Sequence, residues 1–109
     1  MRAGDARQAL EVRLDELMAR ARHIGADLAA PHSPDSEEAA TELEAEEALV
    51  GQGALIEREI IEVRAALERL ATGTYGACVT CGDDIAPARL AAMPEAAQCI
   101  ACASGGAPH

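Results

Sequence analysis

The sequence predicts a mainly α fold, in which an antiparallel two-helix coiled-coil hairpin is followed by a small C-terminal module with four cysteines. Apolar residues recur at coiled-coil spacing along two long segments, and a short proline-containing stretch separates these segments. After the second segment, the four cysteines form two Cys-x-x-Cys pairs. The 109 residues include a single aromatic one, so the chain cannot build a large core. We therefore expect its stability to come from helix pairing and from the cysteine module.

The first helix is predicted at about residues 5–30. Its apolar positions alternate in steps of four and three, which is the a/d spacing of a coiled-coil seam, and they are Leu10, Leu14, Leu17, Ala21, Ile24 and Leu28. Charged residues fill the other faces of this helix. Pro31 and Pro34 bracket a short breaker that ends the helix.

The second helix is predicted to begin at Asp35 or Ser36, either of which is a suitable N-cap, and to end at Thr72. Its seam has the same spacing and consists of Leu49, Gly53, Ile56, Ile60, Val63, Leu67 and Leu70. Because only a short breaker joins the two helices, they should run antiparallel. The tip of the hairpin is then expected near residues 31–40.

Two glycines interrupt the second helix, Gly51 and Gly53. A glycine inside a helix costs about 1 kcal/mol relative to alanine without breaking it. Either the two helices pack closely at this point, or the glycines form a functional hinge. The sequence leaves both interpretations open.

The four cysteines predict a single structural zinc site. The two pairs are separated by 17 residues, and the candidate ligands are Cys78, Cys81, Cys99 and Cys102. Two residues between paired cysteines let both sulfurs of a tight turn face one point, so two such turns supply a tetrahedral all-sulfur set for Zn²⁺. All four ligands close the coordination sphere, which leaves no open position for a catalytic water.

These features together predict the domain organisation. A coiled-coil helical hairpin occupies residues 1–72, a small C-terminal four-cysteine zinc finger occupies 73–103, and residues 104–109 are expected to be a disordered tail.

Local signals within the finger predict its turns. Gly73 fits the C′ position that ends a helix with positive φ, and Gly82 fits the tight turn of a zinc knuckle. We expect Tyr75 to pack its ring over the knuckle rather than to bind a partner. Pro87 suits the first turn of a short helix, which is predicted at residues 88–93.

The net charge of the chain argues against a nucleic-acid partner. The formal net charge is −10, all nine basic residues are arginines, and a zinc tetrathiolate centre would add a further negative charge. Such a chain repels phosphate backbones, so direct nucleic-acid binding is not expected.

No segment has the length and hydropathy of a membrane span or a signal peptide, which predicts a cytoplasmic protein. Reduced thiols in that compartment favour a metal over disulfides.

The predicted tip is strongly acidic. Seven carboxylates and no basic residue lie between Asp35 and Glu47. The cluster is either a solvated helix face or a tip that meets a cation elsewhere. The second interpretation gains weight because like charges three or four residues apart destabilise a helix by a few tenths of a kcal/mol.

A dense motif runs from the end of the second helix to the last cysteine. It consists of Ala66-Leu67-Glu68-Arg69-Leu70, Gly73-Thr74-Tyr75-Gly76-x-Cys78-x-x-Cys81-Gly82, Ile85, Arg89-Leu90, Pro94-x-Ala96 and Cys99-x-x-Cys102. This motif resembles that of the DksA/TraR zinc-finger regulators of bacterial RNA polymerase. The resemblance implies a protein that binds RNA polymerase rather than DNA.

Members of this family carry Asp-x-x-Asp-x-Ala at the tip of the hairpin. The segment Asp35-Ser36-Glu37-Glu38-Ala39-Ala40 is similar, with Glu38 in place of the second Asp. The resemblance implies that a monomer inserts its hairpin into the secondary channel of the polymerase. Asp35, Glu38 and Ala40 would then approach the catalytic Mg²⁺ region and alter promoter complexes, often together with the alarmone ppGpp.

Single features of the sequence also resemble those of other functional classes. The spacing of the cysteines also resembles that of GATA-type DNA-binding fingers, but no Arg or Lys follows Cys102 to contact phosphates. A redox-sensing or zinc-storage protein, in which thiolate oxidation releases the metal, stays open. So does a coiled-coil adaptor that self-associates through its seam. An enzyme is not predicted, because His23 and His32 have no nucleophile pattern nearby.

Overall fold

The computed structural model describes residues 3–28 and 36–105, with Ala3 and residues 36–41 described by their backbone alone. Four helices follow in chain order: α1 at Ala3–Leu28, α2 at Ser36–Thr72, α3 at Pro87–Ala92 and α4 at Ile100–Ala103. An isolated antiparallel bridge joins Ala77 to Asp84, and the described residues contain no longer strand. The predicted fold class, a mainly α chain with a long helical hairpin and a small four-cysteine finger, is confirmed.

The end of α2 at Thr72 follows from the conformation of the next residue. Gly73 has φ 81°, a left-handed value that only glycine adopts without strain. The Thr74 backbone N–H then donates to the Arg69 carbonyl at 2.9 Å, which is the six-to-one hydrogen bond of a Schellman cap. The Thr72 hydroxyl donates to the same carbonyl at 3.3 Å. The predicted C′ role of Gly73 is thereby confirmed.

The chain divides into two compact units, Met1–Leu14 with Ile61–His109 and Asp15–Ile60. In the first unit the fully buried helical residues are Ala6, Leu10, Val63 and Ala66. In the second unit Leu17 and Ile56 are buried, and Ile24 of α1 lies beside Gly53 of α2.

The predicted seam is the least exposed face of both long helices. Leu10, Leu17, Ile56 and Val63 are buried. The other seam residues are partly buried, namely Leu14, Ala21, Ile24, Leu28, Leu49, Gly53, Ile60, Leu67 and Leu70. Ala6 and Ala66 extend the buried face although the sequence analysis did not include them. Both lie one turn from a seam residue, where a methyl group is enough to complete the packing.

The close-packing interpretation of Gly51 is wrong. Gly51 is exposed, and a Cβ added there would meet no heavy atom within 4 Å. A Cβ added at Gly53 would lie 3.8 Å from Ile24 Cγ2, which is ordinary van der Waals contact. Neither glycine is therefore required by a close approach of the two helices.

Within the described part of the chain, no helix combines the length and the hydrophobicity that crossing a membrane requires.

Alanine in place of Gly51, inside α2, and in place of Gly73, at positive φ, should have opposite effects on stability. Gly51→Ala should raise the free energy of unfolding by about 0.5–1 kcal/mol, because it removes backbone freedom from the unfolded chain and meets open space in the helix. Gly73→Ala should lower it by about 1–2 kcal/mol, because alanine is strained at positive φ. Urea denaturation of the zinc-loaded chain, followed by far-ultraviolet circular dichroism, measures both values. A destabilised Gly51→Ala variant would contradict this account of the helix.

Candidate metal centre

Four sulfur atoms converge within the first unit. The Sγ atoms of Cys78, Cys81, Cys99 and Cys102 all lie within 4.8 Å of one another. Cys78 is buried, Cys81 is exposed, and the other two cysteines are partly buried. The four cysteines are thus positioned to bind one metal ion.

The first pair of cysteines is held by a tight turn. The Gly82 N–H donates to the Cys78 carbonyl at 2.9 Å, and the Cys78 N–H donates to the Asp83 carbonyl at 2.7 Å. Gly82 has φ 81°, so the predicted use of glycine in this turn is confirmed. The turn reverses the chain and directs both sulfurs of the pair towards one point.

The second pair lies on the single-turn helix α4. Cys99 is the N-cap of this helix, with extended backbone angles of φ −67° and ψ 165°. The Ala103 N–H donates to the Cys99 carbonyl at 2.9 Å and closes the turn that contains Cys102. Helix α4 was not predicted from the sequence, because four residues are too few to show helical periodicity. Ser104 and Gly105 form a turn after it, and residues 106–109 lie outside the described range.

Two hydrogen bonds that do not involve sulfur connect the segments that carry the two pairs of cysteines. The Val79 N–H donates to the Ala97 carbonyl at 2.9 Å. The Gln98 side-chain amide donates to the Thr80 hydroxyl at 2.8 Å. Since one partner of each bond lies between Cys78 and Cys81, these bonds fix the position of the first turn against the segment that leads to the second.

A small apolar core supports the sulfur cluster. It consists of the buried residues Cys78, Ile85, Leu90 and Ala96, with Tyr75, Cys99 and Cys102 packed against it. The Tyr75 hydroxyl donates to the Pro94 carbonyl at 2.9 Å, and burial raises the pKa of this phenol. The predicted core role of Tyr75 is confirmed, because its ring packs on the finger and its hydroxyl is satisfied within it.

Helix α3 places Leu90 in this core. It begins at Pro87, one residue earlier than predicted, because proline itself occupies the first helical turn, where its missing N–H is not needed. Arg89 of α3 donates through Nε to the Gln98 carbonyl at 3.0 Å. This bond connects α3 to the segment that carries the second pair of cysteines.

The electrostatics of the sulfur cluster favour a bound cation. Hydrogen bonds from the backbone N–H groups of Cys81 and Cys99 lower the pKa of Cys78 to about 6. The side chain of Cys99 and burial raise the pKa of Cys102 to about 12. Without a metal, the Cys102 thiol therefore keeps its proton near neutral pH, because it is hydrogen-bonded to the Cys99 sulfur and shielded from solvent. A dication would displace that proton and hold every sulfur as a thiolate.

The geometry of the cluster fits zinc. A tetrahedral site with Zn–S bonds of about 2.3 Å has sulfur–sulfur separations of about 3.8 Å. The Sγ atoms of Cys81 and Cys99 are 3.8 Å apart. Four thiolates fill a tetrahedral zinc site completely, so the metal would be structural and would stabilise the finger.

The structure does not test the predicted tip residues. Asp35 lies outside the described residues, and Glu38 and Ala40 belong to the part of α2 that is described by its backbone alone. Their assignment as residues that approach a polymerase active site stays a prediction.

Comparison with known families identifies both parts of the chain. Residues 73–105 match the family described as the prokaryotic dksA/traR C4-type zinc finger. Residues 7–70 match the DnaK suppressor protein-like N-terminal domain. The chain belongs to the DksA/TraR family. The family expected from the sequence motif is confirmed, and its zinc finger is of the four-cysteine type that the sulfur cluster indicates.

This DksA/TraR chain is also similar to individual known proteins. It is similar to the solved structure of transcription factor DksA2 from Pseudomonas aeruginosa, with a TM-score of 0.83 and 28% identity, over 94% of this chain and 81% of that one. It is also 45% identical over 42 residues to an uncharacterised protein of Aquifex aeolicus (strain VF5). That match covers 38% of this chain and only 29% of the relative.

Removal of the metal should unfold the finger and leave the long helices largely intact. A structural zinc contributes about 10–16 kcal/mol of apparent binding energy to a module of this type, and the apolar core of the finger is too small to replace it. Tyr75 is the only aromatic residue of the chain, so near-ultraviolet circular dichroism and tyrosine fluorescence report on the finger alone, while far-ultraviolet circular dichroism reports on the helices.

Two variants control this experiment. Cys78→Ser should reproduce the effect of a chelator on the Tyr75 signal, and Val79→Ser, at an exposed position between the same two cysteines, should retain the metal. An unchanged Tyr75 signal after complete removal of zinc would show that the finger folds without metal.

Proposed function

We propose that this chain is a transcription regulator that binds RNA polymerase and inserts its helical hairpin into the secondary channel of that enzyme. One observation carries the proposal. The two family matches follow each other through residues 7–70 and 73–105, and 94% of the chain is similar in structure to a solved transcription factor. Hairpin and finger therefore occur together, in the order that this family uses.

The proposed active element is the acidic tip, and the finger has a structural role. Asp35 and Glu38 would lie near the catalytic Mg²⁺ region of the polymerase, and Ala40 would leave room beside them. A carboxylate in a water-poor channel interacts more strongly with a cation than it does in bulk water, because the local dielectric is low. The proposed effect is a change in the stability of promoter complexes.

The charge of the chain supports a protein partner rather than DNA. With a formal net charge of −10 and no lysine, the chain lacks the basic surface that releases counterions from a phosphate backbone. Arg89 is the only basic residue from Cys78 onwards. We therefore propose no sequence-specific DNA contact. A cytoplasmic location and a monomeric state in the polymerase complex are parts of the same proposal.

Neutralisation of the tip carboxylates should abolish regulation without loss of binding. The variant Asp35→Asn/Glu38→Gln keeps the size of both side chains and removes two charges, so the fold and the affinity for core RNA polymerase should change little. In a purified transcription assay, its effect on open-complex lifetime should fall to the level seen without the protein. The same reactions with and without ppGpp would measure the dependence on the alarmone.

A matched variant tests whether the position of the two lost charges, rather than the change in net charge, abolishes regulation. Glu57 and Glu62 are exposed residues of α2, and Glu57→Gln/Glu62→Gln removes the same two charges outside the acidic tip. This control should regulate like the wild type. Full regulation by the tip variant would exclude the tip mechanism. Failure of the wild type to compete with another secondary-channel protein for core polymerase would exclude the binding site.

A redox-sensing role is a second candidate, and the exposure of Cys81 favours it. Its Sγ lies 3.8 Å from that of Cys99, a short distance from the roughly 2.05 Å of a disulfide. Hydrogen peroxide could take two electrons from these two thiolates, so that an S–S bond forms, the O–O bond breaks and two waters leave after protonation. Zinc would lose two of its four ligands.

Mild peroxide distinguishes this candidate. If the site senses oxidants, about one zinc per chain should be released to a chromogenic chelator within minutes, and dithiothreitol with added zinc should restore the Tyr75 signal. Metal that stays bound through this treatment would exclude a redox role. Regulation of transcription by the reduced protein would not be affected by that result.

A further inference from the structure

One face of α2 in the second unit is apolar and exposed, and only its Leu55 edge borders the groove that α2 forms with Arg20 and Ile24 of α1. Val50 and Leu55 are each 56% exposed, and Gly51 and Ala54 between them are exposed as well. Helical geometry places these four residues on one face, with Glu47 one turn before them and Arg58 one turn after them. Helical spacing places the seam residues Leu49 and Ile56 on a different side of the helix. Ile56 is buried there.

This face is complementary to itself when it is reversed about a point between Gln52 and Gly53. Reversal of the segment 47–58 places Glu47 opposite Arg58, Val50 opposite Leu55, and Gly51 opposite Ala54. Each pair is complementary, since the first is an ion pair, the second joins two branched aliphatic side chains, and the third joins two small residues. A surface with this property matches a second copy of itself across a two-fold axis.

We propose that two copies of this chain associate through this face, with their α2 helices antiparallel and the two-fold axis passing between Gln52 and Gly53. The small residues at the centre let the two helix backbones approach closely, while the aliphatic residues pack on either side of them. Two Glu47–Arg58 pairs close the ends of the contact. The arrangement also gives Gly51 a role that packing within one chain does not give it, because the side chain that is absent there leaves space for the partner helix.

The contact is expected to be weak and concentration-dependent. Each chain has a formal net charge of −10, and two such chains repel each other at low ionic strength. At physiological salt that long-range repulsion is screened, and the close pairs and the apolar contacts persist. Dilution returns the monomer by mass action, so the monomer proposed to enter the polymerase is the same protein at low concentration. The association is measured without any other protein and does not depend on the proposed function.

Charge exchange provides a sharp test. Glu47→Arg places arginine opposite arginine in the dimer, and Arg58→Glu places glutamate opposite glutamate. Each single variant should weaken self-association by about tenfold or more, because two attractive pairs become repulsive. When the two variants are mixed, both arginines of one chain face both glutamates of the other. Sedimentation velocity of the zinc-loaded full chain at about 5–500 μM, where weak dimers populate, should detect this mixed dimer.

Three controls make the outcome decisive. The double variant Glu47→Arg/Arg58→Glu should associate like the wild type, because the exchange restores both pairs. Glu57→Arg and Arg22→Glu change the same charges at exposed positions outside the face and should not alter the dimer. A wild type that stays monomeric throughout this range would overturn the proposal. So would single variants that dimerise like the wild type, or a mixture that fails to associate.

Discussion

The mutual repulsion of four closely spaced sulfurs is the constraint on which the finger depends. The sulfurs lie within 4.8 Å of one another, and near neutral pH they cannot all be thiolates unless a cation lies between them. The backbone N–H groups that lower the pKa of Cys78 are directed at sulfur by turns that need Gly82 and the extended conformation of Cys99. Local backbone geometry and metal binding therefore stabilise the same structure. The four buried residues of the finger are a supplement to the metal rather than an alternative to it.

The long helices use a different source of stability, in which many small contacts replace a few large ones. Their buried side chains are leucine, isoleucine, valine and alanine, and the chain has no phenylalanine or tryptophan. Each side chain buries a modest area, so stability accumulates along the whole length of the seam. The exposed apolar residues Val50 and Leu55 of α2 lie outside this seam. They belong to the separate face through which we propose that two copies associate.

Regular patterns in the sequence predicted most of the fold. The four-three spacing of the apolar residues placed both long helices, and Gly73 marked the end of α2, because a periodic pattern and a required left-handed residue are both local signals. The spacing of the cysteines predicted the sulfur cluster for the same reason. Helix α4 was missed because a single turn has no period. Two interpretations of Gly51 stayed open, and the structure contradicts only close packing. The sequence could not decide between them, because whether a glycine faces a neighbouring helix or solvent depends on the rotation of the helix about its axis.

The Schellman cap at the end of α2 fixes the direction in which the finger projects from that helix. The Thr74 N–H returns to the Arg69 carbonyl, so the direction in which the chain leaves α2 is set within two residues of its last turn. Insertion of one residue before the cap would rotate the finger by about 100° around the helix axis, whereas insertion of seven would restore it to within about 20°. An insertion that keeps the orientation of the finger on α2 therefore has a length close to a whole number of helical turns, such as seven or eleven residues. The length of α2 can therefore change only in discrete steps if the orientation of the finger on this helix is to be kept.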